Sequence, residues 1–137
     1  MAKEIIYPTT EKIIEYNALA LVLIKVKKAD KPHILSKSRL VEIIEGCKKA
    51  EGDTYDKAVY LLKRLIQQHP FASGNRRTAF IATKDFVIIN KMRFGIKDDP
   101  KQAKVMTGIR EGFYTDDEIK EWIKNGKIRE FTRQGSV

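Results

Sequence analysis

The stretch "TYDKAVYLLKRLIQQHPFASGNRRTAFIATKDFVIINKM", Thr54 to Met92, decides the fold. Two apolar runs flank a short polar loop. In the first run Ala58, Leu61, Leu62, Leu65 and Ile66 recur at three- and four-residue spacing and form one inward face of a helix. Pro70 disfavours helical geometry at the residue before it, so this helix ends at His69, about one turn past Ile66 and at the mouth of the core. The second run carries Ala79, Phe80, Ala82, Phe86, Val87, Ile88 and Ile89, with a narrow polar stripe of Arg77, Lys84 and Lys91. So narrow a stripe predicts a helix at the centre of a bundle.

The same periodicity extends outward. "TTEKIIEYNALALVLIKVKK" opens with the capping threonines Thr9 and Thr10 and sets Ile13, Tyr16, Ala20, Leu23 and Val26 on one face. A second helix is predicted from Ser38 to Ala50, after the break "DKPHILSKS". Beyond Met92, one helix begins near Pro100 and stops at Gly112, and another is capped by Thr115 with Asp116, Asp117 and Glu118 in its first turn. Trp122 shares a face with Ile119 and Ile123 and belongs to the core. The expected fold is all-α: one compact orthogonal bundle of about six helices, residues 1–137 as a single domain.

Composition narrows the setting. The hydrophobic content of 42% suffices for a core. The longest apolar run, Ala18–Ile24, is too short to cross a bilayer, and Glu4, Glu11 and Glu15 argue against a secretory leader. The lone Cys47 excludes an internal disulfide, reads as helix filler and fits a cytoplasmic setting. A net charge of +9 favours an anionic partner: nucleotide, acidic protein or nucleic acid. A solvated lysine-rich surface accounts for it equally.

The loop "HPFASGNRR", His69 to Arg77, holds the chemistry. Gly74 supplies the turn, and the first amides of the following helix, around Asn75, Arg76 and Arg77, lack intrahelical acceptors. They form an anion cradle at the positive end of the helix dipole, and the two guanidinium groups add forked donors for phosphate oxygens. Phe71 turns into the core as an anchor. His69 then stands at the rim, where an imidazole can take the proton of a hydroxyl. The plainer reading is a histidine closing a helix beside a basic, water-exposed loop.

This loop resembles the signature of the Fic/Doc superfamily, H-x-F-x-(acidic or N)-(G/A)-N-(G/K)-R, and the similarity is clearest from Asp53 to about Gly126. The resemblance implies a nucleoside triphosphate bound at the loop and a modified hydroxyl on a target protein. On the matching positions it makes His69 the base, Phe71 the anchor, Gly74 and Asn75 the cradle, and Arg76 and Arg77 the phosphate clamps. AMP-transferring Fic enzymes usually carry glycine at the position of Arg76 and a second arginine at that of Phe80. A cation at Arg76 and an apolar Phe80 look instead like the Doc (death-on-curing) branch. That branch implies a toxin that transfers the γ-phosphoryl group of ATP, a translation elongation factor as target, and an antitoxin partner. Ser73 stands where the family has its acidic metal ligand, and a neutral hydroxyl is a weak ligand for Mg²⁺. Three consequences stay open: Mg²⁺ held by the triphosphate with Ser73 outside, reduced activity, or nucleotide binding without transfer.

"HILSKSRL", His33 to Leu40, falls where the family aligns a target peptide by main-chain contacts; a plain inter-helix loop is the alternative. His33 has no second histidine near it and reads as exposed. "TGIREG", Thr107 to Gly112, matches the inhibitory S/T-x-x-x-E-G/N pattern of some Fic proteins through Glu111, although Gly112 also serves as a helix stop. The leading expectation is a Doc-like phosphotransferase. The alternatives are AMP transfer, or a catalytically silent basic module binding an acidic protein or nucleic acid.

Overall fold

Polar caps set where most of the helices begin. In a computed structural model of the chain, which describes residues 4–23 and 33–132, α1 (Thr10–Leu23) starts where Thr9 Oγ1 accepts from the Lys12 amide. Ser36 does the same for α2 (Lys37–Lys49) through Arg39. Reciprocal capping boxes open α3 (Thr54–Gln67), through Asp53 and Asp56, and α6 (Asp116–Asn125), through Thr115 and Glu118. Only α4 (Asn75–Ile89) and α5 (Lys101–Arg110) begin without a side-chain cap. Among the described residues there are six helices and no strand beyond an isolated antiparallel bridge, Ile34 to Phe71. The fold is an all-α bundle.

The centre of the bundle is α3 rather than α4. α3 packs on α2, α4, α5 and α6, and α4 lies between α3 and α1. The apolar end of α4 overstates its burial: Ile88 and Ile89 are about half exposed, at 50% and 46%. Lys57 of α3 meets the end of α2. It is buried, and its ammonium donates to the carbonyls of Lys48 (2.9 Å) and Ala50 (2.7 Å), orphans at the end of α2. A cation thereby closes a neighbouring helix C-terminus, where the dipole favours it.

α1 also departs from the sequence reading. Ile13, Tyr16 and Ala20 are buried as expected, but Leu23 is 50% exposed, and Asn17 and Leu21 complete the inward face. Val26 lies outside the described residues. α4 ends earlier than Met92 because Asn90 leaves the helix to hold the N-terminal segment. Its Oδ1 accepts from the Ile6 amide, and its Nδ2 donates to the carbonyls of Ile6 and Phe86. Cys47 is fully buried and burial pushes its thiol up to about 11, which keeps it protonated and inert. Trp122 is core.

Two outcomes follow from these contacts. Lys57→Met keeps the stem but leaves α2's last carbonyls without a donor. It should lower stability by about 1–3 kcal/mol, read as a drop in melting temperature with helical content retained below the transition. Hydrogen bonds from Arg129 hold the Glu118 carboxyl at about 2, against an ordinary 4.5. A value depressed in the fold stabilises above the ordinary one and is lost as pH falls through the folded one. Acid should therefore lower the melting temperature between pH 4.5 and about 2, and Glu118→Gln should flatten that limb.

Candidate functional site

The loop between α3 and α4 is held on both edges. On one edge the His33–Leu35 segment pairs with it: Ala72 N–H donates to the His33 carbonyl (2.9 Å) and Leu35 N–H to that of Pro70 (2.8 Å). These bonds frame the Ile34–Phe71 bridge. On the other edge the Asn75 side chain takes both backbone groups of Phe71. Its Oδ1 accepts from Phe71 N–H (3.1 Å), and its Nδ2 donates to the Phe71 carbonyl (2.8 Å). With its main chain satisfied, Phe71 sinks its ring to 1% exposure, worth about 2–3 kcal/mol of apolar burial.

A third hold comes from α1. Asn17 is fully buried and its Nδ2 donates to the Ser73 carbonyl and to Thr78 Oγ1, both at 3.0 Å. Gly74 passes directly over it with φ +75°, and a Cβ there would lie 3.3 Å from both Asn17 Nδ2 and Leu21 Cδ2. Sequence reasoning missed Asn17. The signal was present: an amide four residues after Ile13 and three before Ala20, on the face that α1 buries.

The cradle itself is made of backbone. The first bond of α4 runs from the Thr78 amide to the Gly74 carbonyl (2.8 Å), and the N–H groups of Asn75, Arg76 and Arg77 have no partner among the described residues. Three unpaired amides at the positive end of a helix dipole attract an anion. Asn75 contributes to this only through its main chain, since its side chain is spent inward on Phe71. His69 is exposed, sits at φ +45°, and brings Nδ1 to 3.3 Å from Asn75 Nδ2.

The arginines diverge. Arg76 is exposed and its Nη1 donates to Thr107 Oγ1 at 3.0 Å, so "TGIREG" touches the loop through Thr107, a contact that the Glu111 pattern did not anticipate. Arg77 departs further from the expected clamp. Its fork is bound bidentately by Asp98, at 2.7 and 2.8 Å, from the α4–α5 connection. The hydrogen bonds of this pair hold the Asp98 carboxyl below its ordinary value and raise Arg77. Phe80 is buried and its ring lies under the Arg77 guanidinium, 5.0 Å to the centroid.

Ser73 is half-buried, and no group of three or more His, Cys, Asp or Glu among the described residues could hold a metal ion. Ser73 itself offers only a neutral hydroxyl to Mg²⁺, a hard cation that prefers carboxylates. His33 is exposed, as expected. Among the described residues no helix is long and apolar enough to cross a membrane.

The family model described as Fic/DOC family matches residues 26–87. That span takes in the pairing segment at 33–35, the loop, and helices α2, α3 and most of α4. The match supports the Fic/Doc superfamily for this chain. With it comes the coarse reading of a Fic-type enzyme or toxin, a class whose members are typically transferases acting on nucleoside triphosphates. No curated protein matches the chain.

Asn17→Ala would leave the Ser73 carbonyl and Thr78 hydroxyl buried without their donor. The expected cost is about 1–3 kcal/mol. Gly74→Ala must place a side chain in the left-handed region above Asn17, at about 1–2 kcal/mol. If the α4 amides hold an anion, pyrophosphate should raise the melting temperature of the wild type and not of either variant; an equal shift in all three would place anion binding elsewhere.

Proposed function

We propose that the protein is a Doc-like phosphotransferase that moves the γ-phosphoryl group of ATP to a hydroxyl of a target protein. The observation that carries this reading is the row of unpaired amides at the start of α4, with Arg76 beside it and His69 six residues upstream on a loop stitched to the same helix. Arg76 and the buried, apolar Phe80 favour the Doc orientation over AMP transfer, because a long cation at the start of α4 fills space that a terminal phosphate would otherwise use. In the reaction the target's hydroxyl oxygen bonds to the γ-phosphorus as the bridge to the β-phosphate breaks. ADP leaves, and the hydroxyl proton passes to the His69 ring. The amides and Arg76 stabilise the charge on the equatorial oxygens. Mg²⁺ enters with the triphosphate, and no step is assigned to a protein-bound metal.

The target segment docks at the 33–35 strand. Its inner edge is used by the loop, but the N–H and C=O of Ile34 have no partner among the described residues, an edge open to strand addition. A translation elongation factor is the proposed target, an antitoxin the second partner, and the cytoplasm the setting. A silent binding module is the second reading. It is favoured by Ser73 and by the engagement of Arg77 with Asp98.

With cell extract and Mg²⁺, γ-labelled ATP should label a protein, α-labelled ATP should not, and His69→Ala should abolish the label. Label from the α position would mean AMP transfer; no label from either, with salt-sensitive nucleic-acid binding that survives His69→Ala, would mean the silent module. Phosphate must also displace Asp98 from Arg77. Asp98→Asn should therefore tighten ATP about threefold to fivefold by calorimetry, the scale of a half-exposed ion pair. Unchanged affinity would remove Arg77 from the clamp.

A further inference from the structure

The amide of Asn75 has only one chemically permitted orientation. An amide oxygen accepts and an amide nitrogen donates, while Phe71 offers one N–H and one carbonyl. The contacts of 3.1 and 2.8 Å therefore fix Oδ1 on the N–H and Nδ2 on the carbonyl. Nδ2 lies in addition 3.3 Å from His69 Nδ1, with a second hydrogen to give. A neutral imidazole carries one N–H. Placed on Nδ1, it would set two N–H groups against each other; placed on Nε2, it leaves Nδ1 free to accept. Nε2 itself has no partner among the described residues.

We propose that Asn75 is a positioning residue that decides which nitrogen of His69 carries the proton. In the loop as it stands the proton sits on Nε2, and the ring faces outward as a hydrogen-bond donor. The consequence rests on the phosphotransfer reading above. A donor suits the anionic oxygens of a bound phosphate, alongside the α4 amides. A hydroxyl proton, by contrast, can be taken on Nε2 only after that nitrogen has lost its own, with Nδ1 protonated and the Asn75 contact opened. One hydrogen bond thus separates a phosphate-holding form of the loop from a proton-accepting form.

The test is long-range proton–nitrogen correlation of the imidazole rings in the ¹⁵N-labelled full chain, without nucleotide, under conditions where both rings are neutral. His69 and His33 are the only histidines, and His33, exposed and with no ring hydrogen bond among the described residues, serves as the internal reference. Wild-type His69 should show a single Nε2–H tautomer against an averaged His33. Asn75→Ala should bring His69 to the averaged pattern. Asn75→Asp, which places an acceptor oxygen at Nδ1, should turn it to Nδ1–H. Backbone amide spectra check that each variant is folded, and the wild-type spectrum decides alone if neither is. An averaged or Nδ1–H pattern in the wild type overturns the proposal, as does an Nε2–H tautomer left unchanged by a folded Asn75→Ala. Because no nucleotide is present, absence of phosphoryl transfer would sink the reaction while leaving the tautomer standing, so the two failures can be told apart.

Discussion

The site depends on the Phe71 main chain finding partners on both edges while its ring is buried. A loop that dives into a core carries backbone polar groups with it, and each one left unmatched there costs as much as the ring's burial returns. Here the carbonyls and amides on either side of Phe71 pair with the 33–35 segment, and its own N–H and C=O pair with Asn75. The second pairing has a further effect. Because Asn75 is also the first residue of α4, the bonds that bury Phe71 fix where α4 begins, and so where its free amides point.

Charge is distributed around this point in a way the net figure of +9 does not disclose. Several cations that look available in the sequence are engaged: Arg77 with Asp98, Lys57 with the end of α2, Arg129 with Glu118. What remains beside the unpaired amides is Arg76, held by a neutral hydroxyl at Thr107. A neutral acceptor does not compete with a phosphate as a carboxylate does, so Arg76 is the more accessible of the pair and Arg77 the one that has to be released.

Much of the fold was legible because helical period, caps and Pro70 act locally. The Thr115 cap, the end of α3 before Pro70 and the turn at Gly74 follow from residues within four positions of each other. What was not legible depends on meetings between distant parts of the chain. α3 takes the centre in place of α4 because α2, α5 and α6 all pack on it as well, and Lys57 is buried only because the end of α2 is brought over it. Asn17 is 56 residues from the carbonyl it holds. In the site, the composition of the loop gave its residues but not their directions. Asn75 turns inward, and Arg77 turns to a carboxylate from the α4–α5 connection, which no spacing rule within the loop could disclose.

Ser73 bears on how binding and transfer divide. A carboxylate at that position would do two opposed things: hold a divalent cation and repel the phosphates that the cation must bridge. With a neutral hydroxyl there, position 73 adds no negative charge beside the unpaired amides and Arg76. On the phosphotransfer proposed above, orientation of the triphosphate would fall to the backbone amides and Arg76, which fix oxygens by direction, and that of the incoming segment to the edge at Ile34. On that proposal binding would rest on α4 and its loop, whereas the rate of transfer would depend on how well those same amides align the attacking oxygen. Their alignment in turn is set by Asn17, Gly74 and Asn75, side chains and turns that need not touch the nucleotide at all.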